Sequence, residues 1–416
     1  MTEHAMAVGT DLEDVESFRL RARAWLADNM PRLTPDEDGS VEAAFQRGDA
    51  IWPRARELQR LLYDGGFAGL CFPKEYGGQG LTVAHEQVFL REAAGYDVPT
   101  RLFGVSINII GATIAAYGTH EQKQRHLPRI LSGSELWLQL LSEPSGGSDL
   151  AGLIMTAERD GDHFVVNGQK TWSSGAQVAD FALCPVRTDW DRPKHRGISL
   201  LIVDLRSPGL ELRPIRQING EAHFCEEFLT DVLVPADNLV GAENDGWRVI
   251  RGLLEIEHAW AGRGGPKRVD FRQDVGDLVA LAKTRGLAAD PGIQRQVTAL
   301  HVALLVQQLV SARVSRGMET GKLGHGYGSM LKIGNDFIAQ RAAEAGLALA
   351  GTDGVTWPAG DAAGGAWAHA YLTSRSAPIA GGSAEIVRNN VSEGVLGLPR
   401  EPGFDKSLPF RQTEHN

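Results

Sequence analysis

The chain has 416 residues, more than the ~250–300 at which a single hydrophobic core stops growing, so two or three substructures with room for a large buried ligand are expected. With 42 basic against 52 acidic residues the formal net charge is -10, which argues against a broad nucleic-acid or anionic-membrane surface but allows a local basic patch for a small polyanion. Residues 1–14 carry neither a basic stretch nor an apolar core, so no signal peptide is expected, and no run approaches the ~18 consecutive apolar residues of a membrane span. Cys71, Cys184 and Cys225 are odd in number and widely spaced, and read as reduced packing thiols in a cytoplasm.

From Leu12 to Ser134 the pattern is helical, with Val15, Phe18, Leu20 and Ala22 to Leu26 forming one apolar stripe and Leu58, Leu61 and Leu62 repeating it. Gly65 to Gly80 is too rich in Gly and Pro for a helix and reads as an ordered loop, after which Val83 to Ala94 resumes helical spacing. Between Leu136 and Gly241 the period shortens: Phe164 to Val166, Phe181 to Leu183 and Ile198 to Val203 are short β-rich runs bounded by Gly161, Asn167-Gly168 and Gly197. Long helical patterns return over Trp247 to Ala261, Gln294 to Thr320 and Met330 to Leu349. The expected architecture is α+β and multidomain: an N-terminal helical domain over 1–135, a middle β-barrel domain over 136–241 and a C-terminal four-helix bundle over 242–416.

Several motifs stand out in order. Phe72 to Gly80 is a Gly-rich loop; Leu141-Ser142-Glu143-Pro144-Ser145-Gly146-Gly147-Ser148-Asp149 combines hydroxyls and glycines that let backbone N–H groups approach an anionic or polar ligand; Val166 to Gly175 contains Trp172-Ser173-Ser174. Asp231 to Pro235, Arg388-Asn389-Asn390 and Val395 to Arg400 complete the set. Taken singly, the Ser142 to Ser148 loop also fits a plain structural turn, and Trp172 a core aromatic at a strand end.

In joint order and spacing, from about Leu58 to Arg400, these motifs resemble the acyl-CoA dehydrogenase family. The resemblance implies FAD as cofactor and an acyl-CoA thioester as substrate, oxidised at Cα–Cβ as in fatty-acid β-oxidation, with an electron-transfer flavoprotein as acceptor. It places Leu140, Leu141, Ser142, Gly147 and Ser148 along the flavin, Trp172 against the isoalloxazine with Ser173 beside it, Ser174 near flavin N5, and Ser383 and Glu385 also at the cofactor. Ser148, Glu255, His258 and Gly382 fall on the substrate side.

Removing the weakly acidic α-proton of a thioester needs a positioned carboxylate in a dry site and donors for the developing enolate oxygen. Many family members carry that carboxylate near the C-terminus, where this chain has Gly381; a minority branch carries it on the first helix of the C-terminal domain, at the position of Glu257. At about 100° per residue, Trp247, Ile250, Leu254, Glu257 and Ala261 share a stripe, so Glu257 interrupts an apolar face, while Glu255 points about 160° away. The alternative is an ordinary solvated helix glutamate.

Three departures from the family pattern follow. His258 replaces the usual Arg after the base; Arg285-Gly286-Leu287-Ala288-Ala289 lacks the aromatic of a flavin motif; and Ala348 to Gly354 lacks the Gln-x-x-Gly-Gly pattern. The last two elements normally reach the flavin of a neighbouring subunit, so a homo-oligomer with equivalent sites competes with an α2β2 heterotetramer in which a homologous chain supplies the far half. A non-catalytic partner subunit, and a flavin oxidase or monooxygenase on the same fold, are the rival readings.

Overall fold

The computed structural model describes residues 12–33, 51–99, 102–262, 275–356, 365–400 and 407–413. The signal-peptide expectation therefore falls on a segment whose first eleven residues lie outside the described set.

The first helix, α1 (Val15–Asn29), starts where Asp14 Oδ2 accepts the backbone N–H groups of Glu16 and Ser17, which no helical carbonyl can reach. Its core face is Phe18, Ala22 and Leu26, four residues apart; Leu20, expected in that stripe, is exposed because it sits half a turn away. Helices α2 (Ile51–Asp64) and α3 (Val83–Ala93) flank the Gly-rich loop, and α4 (Ala112–Tyr117) continues a π-helical stretch, Val105–Gly111. The capping pair Thr119 and Gln122 opens α5 (His120–Leu131). The Gln122 amide also donates to the Asp237 and Leu239 carbonyls, tying this domain to the sheet.

The middle domain is one curled sheet of seven strands, β1 (Trp137–Gln139), β2 (Thr156–Asp160), β3 (His163–Ser174), β4 (Phe181–Arg187), β5 (Ile198–Asp204), β6 (Leu210–Ile215) and β7 (Phe224–Pro235). The strand order is β1-β4-β2-β3-β7-β6, with β5 antiparallel to β4 and β1 parallel to it. The long β3–β7 ladder slips at two bulges, one between Thr171 and Ser173, and the extra residue there is Trp172. Cys184 and Cys225 are buried in this domain as expected, but Cys71, read from the sequence as a packing thiol, is exposed on the Gly-rich loop.

Helix α6 (Gly246–Gly262) packs on β5, on the Val105–Gly111 stretch and on α4, so it forms the seam between the three parts. Two glycines permit this approach: a Cβ on Gly246 would stand 2.6 Å from the Ser199 backbone, and one on Gly252 2.1 Å from Tyr117 Oη. Beyond it, α9 (Gly328–Ala350) packs against α7 (Val275–Thr284), α8 (Pro291–Glu319), α10 (Gly365–Ser374) and α11 (Ala384–Gly394). The loop before β7 is locked to α10, since Glu221 accepts from His369 Nε2 at 2.8 Å and Asn219 donates to Thr373. Burial opposes charge on Glu221, but hydrogen bonds from His223, His369 and Asn219 outweigh it and hold the carboxyl well below the usual range.

Among the described residues, Pro291–Met318 of α8 is the one helix long and apolar enough, by length and composition, to cross a membrane. Polar residues such as Gln307 and Gln308 interrupt its apolar run, which is why a count of consecutive apolar residues misses it. Val302, Leu305, Val306 and Leu309 are exposed at helical spacing, Leu309 at 71%.

Candidate active site

β1 carries the chain into the site. Its parallel pairing with β4 continues one residue further, where Leu140 N–H donates to the Leu183 carbonyl, so Gln139 and Leu140 are fixed by backbone. The following loop turns back on itself through mutual Glu143 and Gly146 backbone bonds and is stitched to β3 by Thr171 N–H donating to the Ser142 carbonyl at 3.0 Å. Its anchor is Glu143, which sequence reasoning passed over: Oε2 accepts from Ile154 N–H, and Oε1 from Met155 N–H and from the buried Lys170 ammonium at 2.8 Å. A Cβ on Gly147 would lie 3.1 Å from Ser142 Oγ, so any larger residue there would push on the Ser142 hydroxyl. Leu140 is buried, Leu141 and Ser142 are half-buried, and Gly147 and Ser148 are exposed.

The next three candidates alternate as strand residues must. Trp172 and Ser174 face outward, whereas Ser173 faces inward and donates its hydroxyl to Glu227 at 3.0 Å, so its side chain is not presented with the other two. Trp172 is 57% exposed with φ 65, a left-handed conformation that costs a bulky L-residue about 1–3 kcal/mol. The core-aromatic alternative is thereby removed. A large aromatic held in a strained conformation with its ring outward, edge-on to Phe224 at 5.8 Å, is a platform for a flat ligand.

Glu257 lies on α6 one turn past the buried Leu253, and only 7% of it is exposed. The buried face of α6 is Val249, Ile250, Leu253 and Glu257, rotated slightly from the expected stripe; Trp247 and Leu254 are half-buried, and the Ala261 side chain lies outside the described residues. Glu255 and His258 are exposed, on the sides of the helix away from that face. Gln139 reaches across from β1 and its Nε2 donates to Glu257 Oε2 at 3.2 Å. The same amide leaves Oε1 buried without a hydrogen-bond partner among the described residues.

Gly381 and Gly382 have φ 68 and 91 and lead into α11, where Ser383 caps the helix by accepting from Ile386 N–H. The Glu385 carboxyl is held below its usual range by its own backbone N–H and by Ser383. Gln139 is bonded to Glu257, and the Ser142 carbonyl to Thr171 beside Trp172 and Ser174, whereas Gly381 to Ser383 form the turn ahead of α11, which packs on α9.

An outward aromatic face, the hydroxyls of Ser142 and Ser174, a buried amide oxygen lacking a donor and a buried carboxylate suit a large polar-edged ring system such as the isoalloxazine of FAD. Comparison with known proteins agrees. Sequence profiles of the acyl-CoA dehydrogenase N-terminal, middle and C-terminal domains match residues 13–134, 139–232 and 244–396. The acyl-CoA dehydrogenase IpdE1 of Mycobacterium tuberculosis is 37% identical over 94% of this chain and 99% of its own. Among solved structures, the Tcur3481-Tcur3483 steroid ACAD superposes with a TM-score of 0.74 at 29% identity over 94% of this chain and 99% of that one, and the ChsE4-ChsE5 complex from Mycobacterium tuberculosis with 0.71 at 29% over 95% and 100%. From the three profiles, the full-length relative and the fit of the site to a flavin, the chain belongs to the acyl-CoA dehydrogenase family and is an FAD-dependent enzyme of that family.

Proposed function

We propose that the chain introduces a 2,3-trans double bond into an acyl-CoA, with Glu257 taking the α-proton. The observation that carries this is the Glu257 carboxylate, buried on an otherwise apolar helix face and held by the Gln139 amide. Bound FAD would supply the acceptor for the hydride leaving Cβ, which carries both electrons of the oxidation. Leu140, Leu141, Ser142, Gly147, Trp172 and Ser174 hold the isoalloxazine, and Ser148, Glu255, His258 and Gly382 lie along the CoA arm. Ser383 and Glu385 offer a helix N-terminus to the cofactor. An electron-transfer flavoprotein is the proposed acceptor, and a bulky ring-bearing acyl group the proposed substrate, supported by the steroid-directed structural relative.

The test is anaerobic mixing of the FAD-loaded protein with a panel of straight-chain, branched and ring-bearing acyl-CoAs. Bleaching of the flavin by any of them supports the reading. No bleaching, with flavin and partner both present, replaces it with the non-catalytic subunit, and fast reoxidation in air would favour the oxidase. Gln139→Leu should keep Glu257 in place while removing a hydrogen bond to a charged group, so flavin reduction should slow by about 10–100-fold at saturating substrate. An unchanged rate would show that Gln139 does not act on the base.

We also propose that the exposed stripe on α8 is covered by a homologous chain, as the two-component names of the structural relatives support. Leu305→Asp with Leu309→Asp would place two charges in that contact and should weaken assembly at least about 100-fold, read as a fall in mass by light scattering. A mass equal to wild type in dilute solution would remove α8 from the interface.

A further inference from the structure

Behind the outward face of Trp172 the sheet buries the ionisable side chains of Lys170, Glu143 and Glu227. Lys170 and Glu227 stand directly opposite on β3 and β7, and both are 0% exposed. Lys170 is already matched, because its Nζ donates to Glu143 Oε1 at 2.8 Å and to the Leu141 carbonyl. Glu227 has a single donor, Ser173 Oγ on its Oε2, and its Oε1 is buried without a partner among the described residues.

A second buried cation, Arg187 on β4, acts on Glu143 and donates to the carbonyls of Lys194, Ala151 and Leu153. The remaining titratable neighbours of Glu227 bring no positive charge. They are Glu226, bonded to Gln169, and the Cys225 and Cys184 thiols, which burial pushes up to about 11 and about 12. An ionised Glu227 would therefore be a buried charge without a counter-ion, and keeping its proton is the lower-energy alternative. Burial pushes its carboxyl up to about 8, against the smaller opposing pulls of Ser173 and Lys170.

We propose that Glu227 is a positioning residue that stays protonated at neutral pH, fixing the Ser173 hydroxyl and with it the left-handed Trp172, while keeping the wall behind the flavin face free of net negative charge. This rests on the proposed flavin face at Trp172 and Ser174. The physical consequence is electrostatic: a group that accepts a hydride gains negative charge, and an ionised carboxylate behind it, at low dielectric, makes that acceptance less favourable.

Two independent measurements test it on the full FAD-loaded protein. Infrared difference spectra of wild type should show the carbonyl band of a protonated carboxyl at about pH 7, lost by about pH 9 and absent from Glu227→Gln. The midpoint potential of the bound flavin should then fall more steeply between those pH values in wild type than in Glu227→Gln. The carboxyl raised from 4.5 to about 8 holds a proton in the folded chain that the unfolded chain has released, so wild-type stability should also decline as pH rises from about 4.5 to about 8 and level off above that, a slope Glu227→Gln removes. Absence of the band in wild type, or equal potential slopes in the two proteins, overturns the proposal. The infrared arm involves no turnover, so it stands even if no acyl-CoA bleaches the flavin.

Discussion

Replacing Glu257 with Gln should slow reduction of the bound flavin by acyl-CoA by about two to four orders of magnitude, with substrate binding retained. Gln has nearly the volume of Glu and keeps an oxygen for the Gln139 amide, so the apolar packing around Ile250 and Leu253 is undisturbed and the loss reports proton abstraction alone. Restoring a carboxylate at the position most of the family uses should not rescue the rate. Gly381 has φ 68, where an L-residue costs roughly 1–2 kcal/mol, and its neighbour Gly382 at φ 91 extends the same left-handed turn. Anaerobic stopped-flow on Glu257→Gln and on Glu257→Gln with Gly381→Glu checks both points, and ligand-induced shifts of the flavin spectrum report binding. Reduction of Glu257→Gln at the wild-type rate would remove Glu257 as the base.

The helices were legible because their signal is local. A 3.6-residue period over Trp247 to Ala261 located α6 to within one residue at each end, and it put Glu257 on the inward face. The same pattern rotated the face slightly, favouring Trp247 and Leu254 over Val249 and Leu253, because helix rotation is set by Gly246 against Ser199 and Gly252 against Tyr117, and hydrophobic periodicity does not register a glycine contact. Strand β7 went unread for a complementary reason. Its inward positions are Cys225, Glu227 and Leu229, then Val232 and Val234 after the irregularity at Asp231, and an acid in the second of them breaks the alternation that marks a strand.

The site's outward residues were legible as motifs, and its supports were not. Gln139 meets Glu257 across 118 positions, and Glu143 meets Lys170 across 27, so nothing in either local sequence names the partner. Trp172 was singled out by a motif, but what removes its bland reading is a backbone fact, a positive φ at a bulge with the ring outward. The motifs missing at Arg285 to Ala289 and Ala348 to Gly354 belong with the exposed α8 stripe in the proposed contact with a homologous chain.

Lys170→Met should be among the most destabilising single changes in the middle domain. The Lys170 and Glu143 side chains are 0% and 2% exposed, so truncating the cation leaves Glu143 buried with only its two backbone donors, a loss of about 3–5 kcal/mol. Glu227 would lose the nearest positive charge at the same time, but a carboxyl that already keeps its proton has little further to lose. The second variant decides the cause. Lys170→Met combined with Glu143→Leu removes both charges, and a buried ion pair replaced by apolar side chains of similar volume is commonly neutral or stabilising, so the double variant should recover most of the loss. Its recovery will be incomplete, because Ile154 and Met155 lose their acceptor and the Ser142 to Ser148 loop loses its anchor. Denaturant unfolding followed by far-UV dichroism reads stability, and flavin content reads the loop. Additive losses in the double variant would show that the pair is not coupled; recovered stability with flavin still lost would show that Glu143 holds the binding loop in addition to neutralising Lys170.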